Sequence, residues 1–392
     1  MSSVKTQSVV VYTAVDDSRA AGRDLGEQIS AALSGAPPDA VILFVSPKYD
    51  AAALVECVTA GCGAKLIVGC SSAGEFTNET DGVGKACAVA ICSSQLQFAS
   101  GIGQGISVDR TKAAQEMVRD FRCGEEGSKE YCTALILTDA LAGHADELIE
   151  ELTLTTAGSH QFFGGGAGDD ANFRRTQVFS GKEIATDAAV ALEIISEKPI
   201  GIGVRHGWSP ATKPMRVTES KGAVLVSLNA SPILDVFREH AQATNQSFDE
   251  KDPVPFFLHN ILGIETGDDY KLRVPLAINP DGSVLCAAEI PQGATLCVMT
   301  TDSASAREAA ANATRAAMEQ LNGHQPGVAL FFDCVATRLR MGKDFGNELE
   351  ALKEVLGPTH FAGCNTYGQV ARTTGQFNGF HNCTAVVCVL PA

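Results

Sequence analysis

The sequence is poor in charged and aromatic residues. Charged residues make up 19% of the 392 residues and aromatic residues 6%, and Trp occurs once. No run of Lys and Arg offsets the net charge of −16, which argues against non-specific nucleic-acid binding and against docking on anionic membranes. No apolar run reaches the length of a membrane span, and the acidic start of the chain does not have the pattern of a signal peptide. We therefore expect a cytoplasmic protein without nucleic-acid or membrane partners.

The 13 cysteines lack the spacing of a secreted disulfide framework. Many of them lie inside apolar runs, as Cys87 and Cys92 do in ACAVAIC. This pattern predicts buried free thiols in a reducing compartment. A C-x-x-C-H motif is also missing, which excludes a covalently attached c-type haem.

The sequence contains 45% apolar residues and 38 glycines. It also contains one order of predicted strands and helices that occurs three times. Each stretch reads as a strand, a helix, a strand that runs into a Gly-rich loop, and a closing strand. The three loops lie at 69–75, 160–170 and 363–369. We predict an α/β fold of duplicated strand–helix–strand units that form two layered halves, residues 1–200 and 201–392, with Gly-rich loops at the strand ends.

The stretch between the second and third repeats, about 200–325, has a different pattern. Ser231 followed by Pro232 predicts a helix that Ser231 caps and that has proline in its first turn. The segment Asn279–Gly282, Asn-Pro-Asp-Gly between two apolar runs, predicts a hairpin turn.

The Gly-rich loops carry a resemblance to a known family. GCSSAGEF at 69–76 and GGGAGDD at 164–170 resemble the N-terminal half of the FIST sensory domain. Four later segments of the chain resemble the C-terminal half of that domain, in this order: VALFFDCVATRLRMG, FGNELEALKEVLG, FAGCNTYGQV and FHNCTAVV. The resemblance implies a ligand sensor without enzymatic activity that passes its state to a signalling protein such as a histidine kinase. Stand-alone members include haem-binding nitric-oxide sensors that act on a histidine kinase or a cyclic-di-GMP pathway.

Two positions depart from the family pattern. The family commonly has Glu in the C-terminal Gly loop, where this chain has Gln369. The family also commonly has an Arg shortly after the cysteine of the strand at 328–336, where this chain has Thr337 and Arg338 and the matching position stays open. If those charges bind the ligand in relatives, this protein binds a different one.

The loops supply the predicted ligand-binding residues. Ligands of α/β proteins bind at the carboxyl ends of strands, and Gly lets the backbone approach them. The predicted set joins the donors and acceptors of the first and third loops to two polar residues near them: Ser71, Ser72, Gly74, Asn365, Thr366, Tyr367, Gly368, Gln369, His381 and Asn382. The alternative is that these glycines only turn the chain and let its layers pack.

Haem b is the predicted cofactor, and the candidate axial ligands are His240 and His259, which both lie in apolar segments. Either one is equally compatible with a hydrogen-bonded core histidine. Two other functions stay open at this point. The chain could sense a metabolite such as an amino acid, or it could be an enzyme that uses Cys70, Cys364 or a serine of a Gly-rich loop. The sequence leaves a homo-oligomer open.

Overall fold

The structure is a computed structural model that describes residues 6–124, 131–373 and 376–392. It contains three units with the same order of elements, and the third unit carries a large insertion. The first unit comprises β1 (Gln7–Thr13), α1 (Ser18–Ala32), β2 (Ala40–Val45), α2 (Ala51–Cys62), β3 (Leu66–Ser71), β4 (Glu75–Thr77), β5 (Asp81–Gly82) and β6 (Ala86–Cys92). The second comprises β7 (Leu96–Gln104), α3 (Arg110–Val118), β8 (Tyr131–Thr138), α4 (Ala145–Thr155), β9 (Gln161–Gly166), β10 (Val178–Ser180), β11 (Glu183–Ala185) and β12 (Ala188–Ser196).

The third unit begins with β13 (Gly201–Arg205), and the insertion follows directly. The insertion comprises β14 (Ser209–Pro210), β15 (Met215–Lys221), β16 (Val224–Leu228), β17 (Ser231–Pro232), α5 (Ile233–Thr244), α6 (Val254–Phe257), β18 (Ile261–Thr266), β19 (Asp269–Arg273), β20 (Pro275–Ile278), β21 (Val284–Cys286) and β22 (Thr295–Thr300). The unit then continues with α7 (Ser303–Gln320), β23 (Pro326–Cys334), α8 (Val335–Met341), α9 (Gly346–Leu356), β24 (Phe361–Thr366), β25 (Gln369–Thr373), β26 (Gln376–His381) and β27 (Ala385–Pro391). The predicted boundary at residue 200 falls in the link between β12 and β13, and the division into halves stays a prediction.

Each unit contributes four strands to a six-stranded sheet and receives two from another unit. The orders are β1-β6-β2-β3-β10-β11, β7-β12-β8-β9-β25-β26 and β13-β27-β23-β24-β4-β5. The hairpin that follows the Gly loop of the first unit therefore joins the sheet of the third. The third unit's hairpin joins the second sheet, and the second unit's hairpin joins the first. This cyclic exchange ties the three units together through backbone hydrogen bonds, and it confirms the predicted α/β class.

The sheets are buried on both faces, which explains the continuous apolar runs of their strands. Along β2, Ile42 faces a core that all three sheets share and that also contains Leu135 of β8 and Leu330 of β23. The alternate residues, such as Leu43, face α1 and α2. Separate clusters under α3 and α4, and under α7 and α9, repeat this arrangement. Helix α1 begins after Asp17, whose side chain caps the helix by accepting from the Ala20 amide at 2.8 Å.

One glycine occurs at the same place in all three units, and packing requires it. It lies in the strand that precedes each Gly loop and faces a carbonyl oxygen of the neighbouring parallel strand. A Cβ built on Gly69, Gly164 and Gly363 would lie 2.0, 2.1 and 1.9 Å from the carbonyl oxygens of Leu43, Ile136 and Phe331. No L side chain fits at such a distance, so these positions support the duplication that the sequence suggests.

The insertion is built on a nine-stranded sheet with its own aromatic core around Phe237. The hairpin predicted at Asn279–Gly282 is confirmed, since β20 and β21 pair on either side of it. The predicted Ser231 cap is wrong. Ser231 pairs with Leu228 in a short strand, and Pro232 occupies the N-cap position without a side-chain hydrogen bond. Because Ser231 is part of the β-ladder with β16, it does not cap the helix, and α5 starts two residues later.

Two further features bear on the sequence predictions. Cys123 and Cys132 form a disulfide, whereas the other eleven cysteines are free. The expectation of free thiols therefore fails at this one pair. Among the helices of the described residues, none is long and apolar enough to cross a membrane.

Candidate functional site

The Gly-rich loops converge, as the sequence predicts, and they meet through backbone hydrogen bonds. Ala73 donates its amide to the Asn365 carbonyl at 2.9 Å, and Asn365 donates its own to the Gly74 carbonyl at 2.8 Å. The second loop joins both of the others, because the Tyr367 amide donates to Gly166 and the Gly168 amide donates to Ser71. Every loop is thus held by the other two at the carboxyl ends of β3, β9 and β24.

Most predicted ligand-binding side chains of these loops are buried and bonded within the protein. The Ser72 hydroxyl bonds to the Val45 carbonyl and to the Glu75 carboxyl group. Gln369, fully buried, donates to the Thr366 hydroxyl at 2.8 Å. Gly74 and Gly368 share a φ of +135°, which an L side chain rarely adopts, at the point where each exchanged hairpin begins.

Arg338 lies where the first and third loops cross. Its guanidinium donates to the carbonyls of Ala73 and Gly82, each at 3.2 Å, and to the Asn365 side-chain oxygen at 3.4 Å. A Cβ on Gly74 would lie 1.6 Å from this guanidinium. Arg338 therefore closes the loop junction by filling the space over Gly74.

Burial keeps the Glu75 carboxyl group protonated through the neutral range. Glu75 is fully buried, and this burial raises its pKa to about 8 although Ser72 and the Lys85 amide donate to it. At the loop junction Glu75 is consequently a neutral acid.

The GGGAGDD segment runs from the end of β9 into a turn with left-handed backbone at Asp170, Ala171 and Phe173, and this turn projects an aromatic ring. Burial would raise the pKa of Asp169, but hydrogen bonds from the Tyr367 hydroxyl and from the amides of Arg175, Arg174 and Phe173 lower it. Phe173 has a φ of +52°, and its ring stacks on Tyr367 with centroids 4.4 Å apart. A non-Gly residue held in the left-handed region is costly and is typical of functional segments.

An apolar cleft of about 440 Å³ opens beside this stack, between the insertion and the three-unit core. The insertion contributes Val254, Phe257, Leu258, Val274, Pro275, Leu276, Leu285 and Ala287; the core contributes Leu141, Phe173, Cys334, Val335, Ala336, Leu339, Tyr367 and Asn382. Among the described residues, ten large apolar side chains are exposed, and five of them line this cleft: Leu141, Phe173, Val254, Leu285 and Leu339. Such a concentration marks a binding surface rather than ordinary surface variation.

A second, polar cleft of about 670 Å³ lies at the ends of β2 and β3. Ser71 of the predicted set lines it together with Asp50, Asp169 and the exposed side chains of Arg174 and Arg175. This cleft offers both signs of charge to a ligand.

A buried ion network joins the insertion to the core near His381. Asp146 of α4 contacts Lys271 and Arg273 of β19, each at 2.5 Å, and Arg273 is 1% exposed. Burial would raise the pKa of Asp146, but the two cations outweigh it and the pKa is lowered. Burial, followed by Lys271, lowers the pKa of His381 to about 3, so this histidine is neutral.

The remaining predicted residues lie apart from one another. Asn382 lines the apolar cleft and accepts from the Val274 amide. His240 is buried in the insertion and bonds to Asn260 at 2.9 Å, while His259 is exposed. Neither histidine belongs to the cleft lining given above. Of the predicted set, the structure therefore places Tyr367 and Asn382 on the apolar cleft, Ser71 on the polar cleft, and the others in the interior.

The thiols divide into two environments. Cys70 and Cys364 are fully buried in the shared core, where burial raises the pKa of the Cys364 thiol well above its ordinary value. Such a thiol is unreactive. Cys334, which the sequence did not single out, lines the apolar cleft, and a hydrogen bond from Cys383 lowers its pKa.

Sequence reasoning missed the apolar cleft because its residues are scattered from 141 to 382. One local signal is Leu339, an apolar residue between two arginines in the segment TRLRMGKD.

These features describe a mixed α/β protein whose strand ends and insertion form ligand-sized clefts. Comparison with known families identifies it further: the FIST N domain matches residues 39–231 and the FIST C domain matches residues 234–372. The chain therefore belongs to the FIST family, whose domains are sensory, ligand-binding modules of signal-transduction proteins. No curated protein matches it.

Proposed function

We propose that this protein is a cytoplasmic sensor that binds a small, mainly apolar ligand in the cleft between the insertion and the three-unit core. The supporting observation is the concentration of half of the exposed large apolar side chains of the described residues on this one cleft. Its volume of about 440 Å³ lies within the range of small-molecule sites. Asn382 would supply a polar contact that orients the ligand, and the Tyr367 ring would supply an apolar one.

Ligand binding would change the way in which the insertion packs on the core. The two walls of the cleft come from these two parts, and a ligand that contacts both favours their closed arrangement. A signalling partner such as a histidine kinase would recognise that arrangement, and a cyclic-di-GMP pathway could lie downstream.

A haem-based nitric-oxide sensor is the more specific form of this proposal, and the cleft fits it poorly. A haem needs an axial donor facing an apolar wall. The two predicted donors, His240 and His259, do not line the cleft, and the Tyr367 hydroxyl is bonded to Asp169. Haem reconstitution tests this form directly. A Soret band that shifts with nitric oxide and is lost in His240→Ala or His259→Ala would support the haem-based sensor. A spectrum without a Soret band would contradict it.

Binding of N-phenyl-1-naphthylamine, a neutral fluorescent probe, tests the apolar cleft. Leu339 is 48% exposed, so Leu339→Glu leaves the fold intact and places a charge in the cleft. We expect at least about a tenfold loss of affinity, because an apolar ligand cannot compensate for a desolvated carboxylate. Val108→Glu, at an apolar residue 82% exposed outside the clefts described above, is the matched control. Equal affinity in both variants would show that the probe does not bind in the cleft.

A second candidate is a sensor of an amino acid, which the polar cleft favours. Arg174 and Arg175 suit a carboxylate, and Asp50 or Asp169 suits an ammonium group. A thermal-shift panel of amino acids on the wild type and on Arg174→Gln tests it. If one amino acid stabilises the wild type but does not stabilise the variant, this candidate is supported.

A further inference from the structure

The second unit contains a cluster of metal-ligating side chains far from both clefts. Ligand atoms of Cys123, Cys132 and His160 lie within 4.8 Å of one another. Cys123 follows α3, Cys132 is the second residue of β8, and His160 directly precedes β9. Because β8 and β9 are parallel, the cluster lies at their amino ends, whereas the Gly loops lie at their carboxyl ends.

A fully buried carboxylate holds this cluster in place. Glu193 of β12 accepts from the Arg122 amide at 2.8 Å and from the Cys123 amide at 3.0 Å. It also bonds to His160 Nε2 at 2.9 Å. The same carboxylate thus fixes the backbone of one cysteine and the ring of the histidine.

Such a hydrogen bond is the usual support of a metal-binding histidine. A carboxylate on one ring nitrogen sets the tautomer and leaves the other nitrogen to the metal. Here Nε2 faces Glu193, and Nδ1 contacts the Ser159 hydroxyl at 2.9 Å. The Ser159 hydroxyl also donates to the Thr156 carbonyl at 2.7 Å, so Nδ1 does not need to accept its hydrogen and is available as a ligand.

We propose that Cys123, Cys132 and His160 form a Zn²⁺ site when the two thiols are reduced, and that Glu193 orients His160 within it. Two thiolates and one imidazole are a zinc donor set, and with three protein ligands the fourth position is left to water. A tetrahedral site places the two sulfurs about 3.8 Å apart, since each Zn–S bond is about 2.3 Å long. The Cα–Cα separation of 6.0 Å lets the side chains reach that spacing.

The disulfide and the metal site exclude each other, so the cluster couples metal binding to oxidation. When a peroxide ROOH oxidises the loaded site, both Zn–S bonds break and an S–S bond forms. The two thiolates lose two electrons, and the peroxide takes them up with two protons from water to give ROH and H₂O. Zn²⁺ leaves, and Glu193 keeps its hydrogen bonds to His160 and to the loop amides.

Zinc titration of the reduced full-length protein against a chromophoric chelator tests the site. We expect one tightly held Zn²⁺ per chain, its loss in Cys132→Ser, and a 10- to 100-fold weaker affinity in Glu193→Gln, as for supports of metal-binding histidines. Cys92→Ser, which removes a half-buried free thiol of the first unit, should bind as the wild type does. Hydrogen peroxide should release the metal from the loaded wild type.

A measurement on the wild type alone covers the case in which a variant fails to fold. Co²⁺ added to reduced protein should give the intense thiolate-to-cobalt charge-transfer bands and the d–d bands of a tetrahedral site. The proposal is overturned if reduced wild type holds no more Zn²⁺ than Cys123→Ser/Cys132→Ser does, or if Co²⁺ gives only the weak spectrum of an octahedral ion. Unchanged affinity in a folded His160→Gln variant would also overturn it.

Discussion

Replacing Asp146 by Asn tests whether the buried ion network fastens the insertion to the core. Asp146 contacts Lys271 and Arg273, and it accepts from the Phe380 amide at 2.8 Å. Asn keeps an acceptor for that amide but has no charge, so the Arg273 guanidinium loses its counter-ion. Removing one partner of a buried ion pair costs about 3–5 kcal/mol.

The lower end of that range applies here. Arg273 also donates to the carbonyls of Glu289, Leu272 and Phe380 at 2.8–3.1 Å, so its N–H groups stay largely satisfied. The Asp146 side chain is itself 15% exposed, so water partly compensates for the loss of its charge. We therefore expect the free energy of unfolding to fall by about 3 kcal/mol.

Urea denaturation of wild type and variant measures this loss, with Glu56→Gln as the control. Glu56 pairs with Arg19 on the surface, with both side chains more than half exposed, and its removal should have no measurable effect. A loss below about 1 kcal/mol in Asp146→Asn would refute the reasoning, because it would show that water replaces the carboxylate at Arg273. The pH dependence has a defined sign. The lowered pKa means that this stabilisation is complete above the ordinary value of 3.8 and is lost as the pH falls below it.

Two other predictions concern the loop junction. The Glu75 pKa of about 8, against an ordinary 4.5, means that the unfolded chain ionises first, so stability should fall between these pH values and stay level above them. Glu75→Gln should remove this dependence, gaining at most about 5 kcal/mol relative to wild type between pH 4.5 and 8. Gly363→Ala should cost about 3 kcal/mol or prevent folding, because its Cβ would lie 1.9 Å from the Phe331 carbonyl oxygen.

Denaturation curves at several pH values check the first of these predictions, and a wild-type stability that does not fall between pH 4.5 and 8 would contradict it. Gly346→Ala is the control for the second. Gly346 opens α9 with no heavy atom within 4 Å of its built Cβ, so alanine there should be neutral or stabilising. Equal stability of the two alanine variants would contradict the packing argument.

The sequence was sufficient for the fold class, for one hairpin turn and for the family. The repeated order of strands, helices and Gly-rich loops predicts the α/β class, and Asn279–Gly282 turns a hairpin. These features depend on residues that are close together in the chain. The FIST resemblance rested on local motifs as well, and the matching domains bear it out.

The pairing of the exchanged hairpins could not be read from the sequence. The strand Glu75–Thr77 has only three residues, and it pairs with Cys364 and its neighbours almost 300 positions away. A short edge strand carries no signal for its partner, because backbone hydrogen bonds are the same for every partner. The first and third loops therefore meet at a junction that their own side chains fill, whereas Tyr367, Asn382 and Ser71 line separate clefts.

Local sequence thus determined the strands, helices, turns and Gly-rich loops of this protein, since backbone preference and apolar periodicity act over a few residues. The tertiary structure alone decided which sheet each hairpin joins, where the apolar cleft opens, and that Cys123 meets Cys132 and His160. Each of these depends on side chains or edges from distant segments that packing brings within a few ångströms.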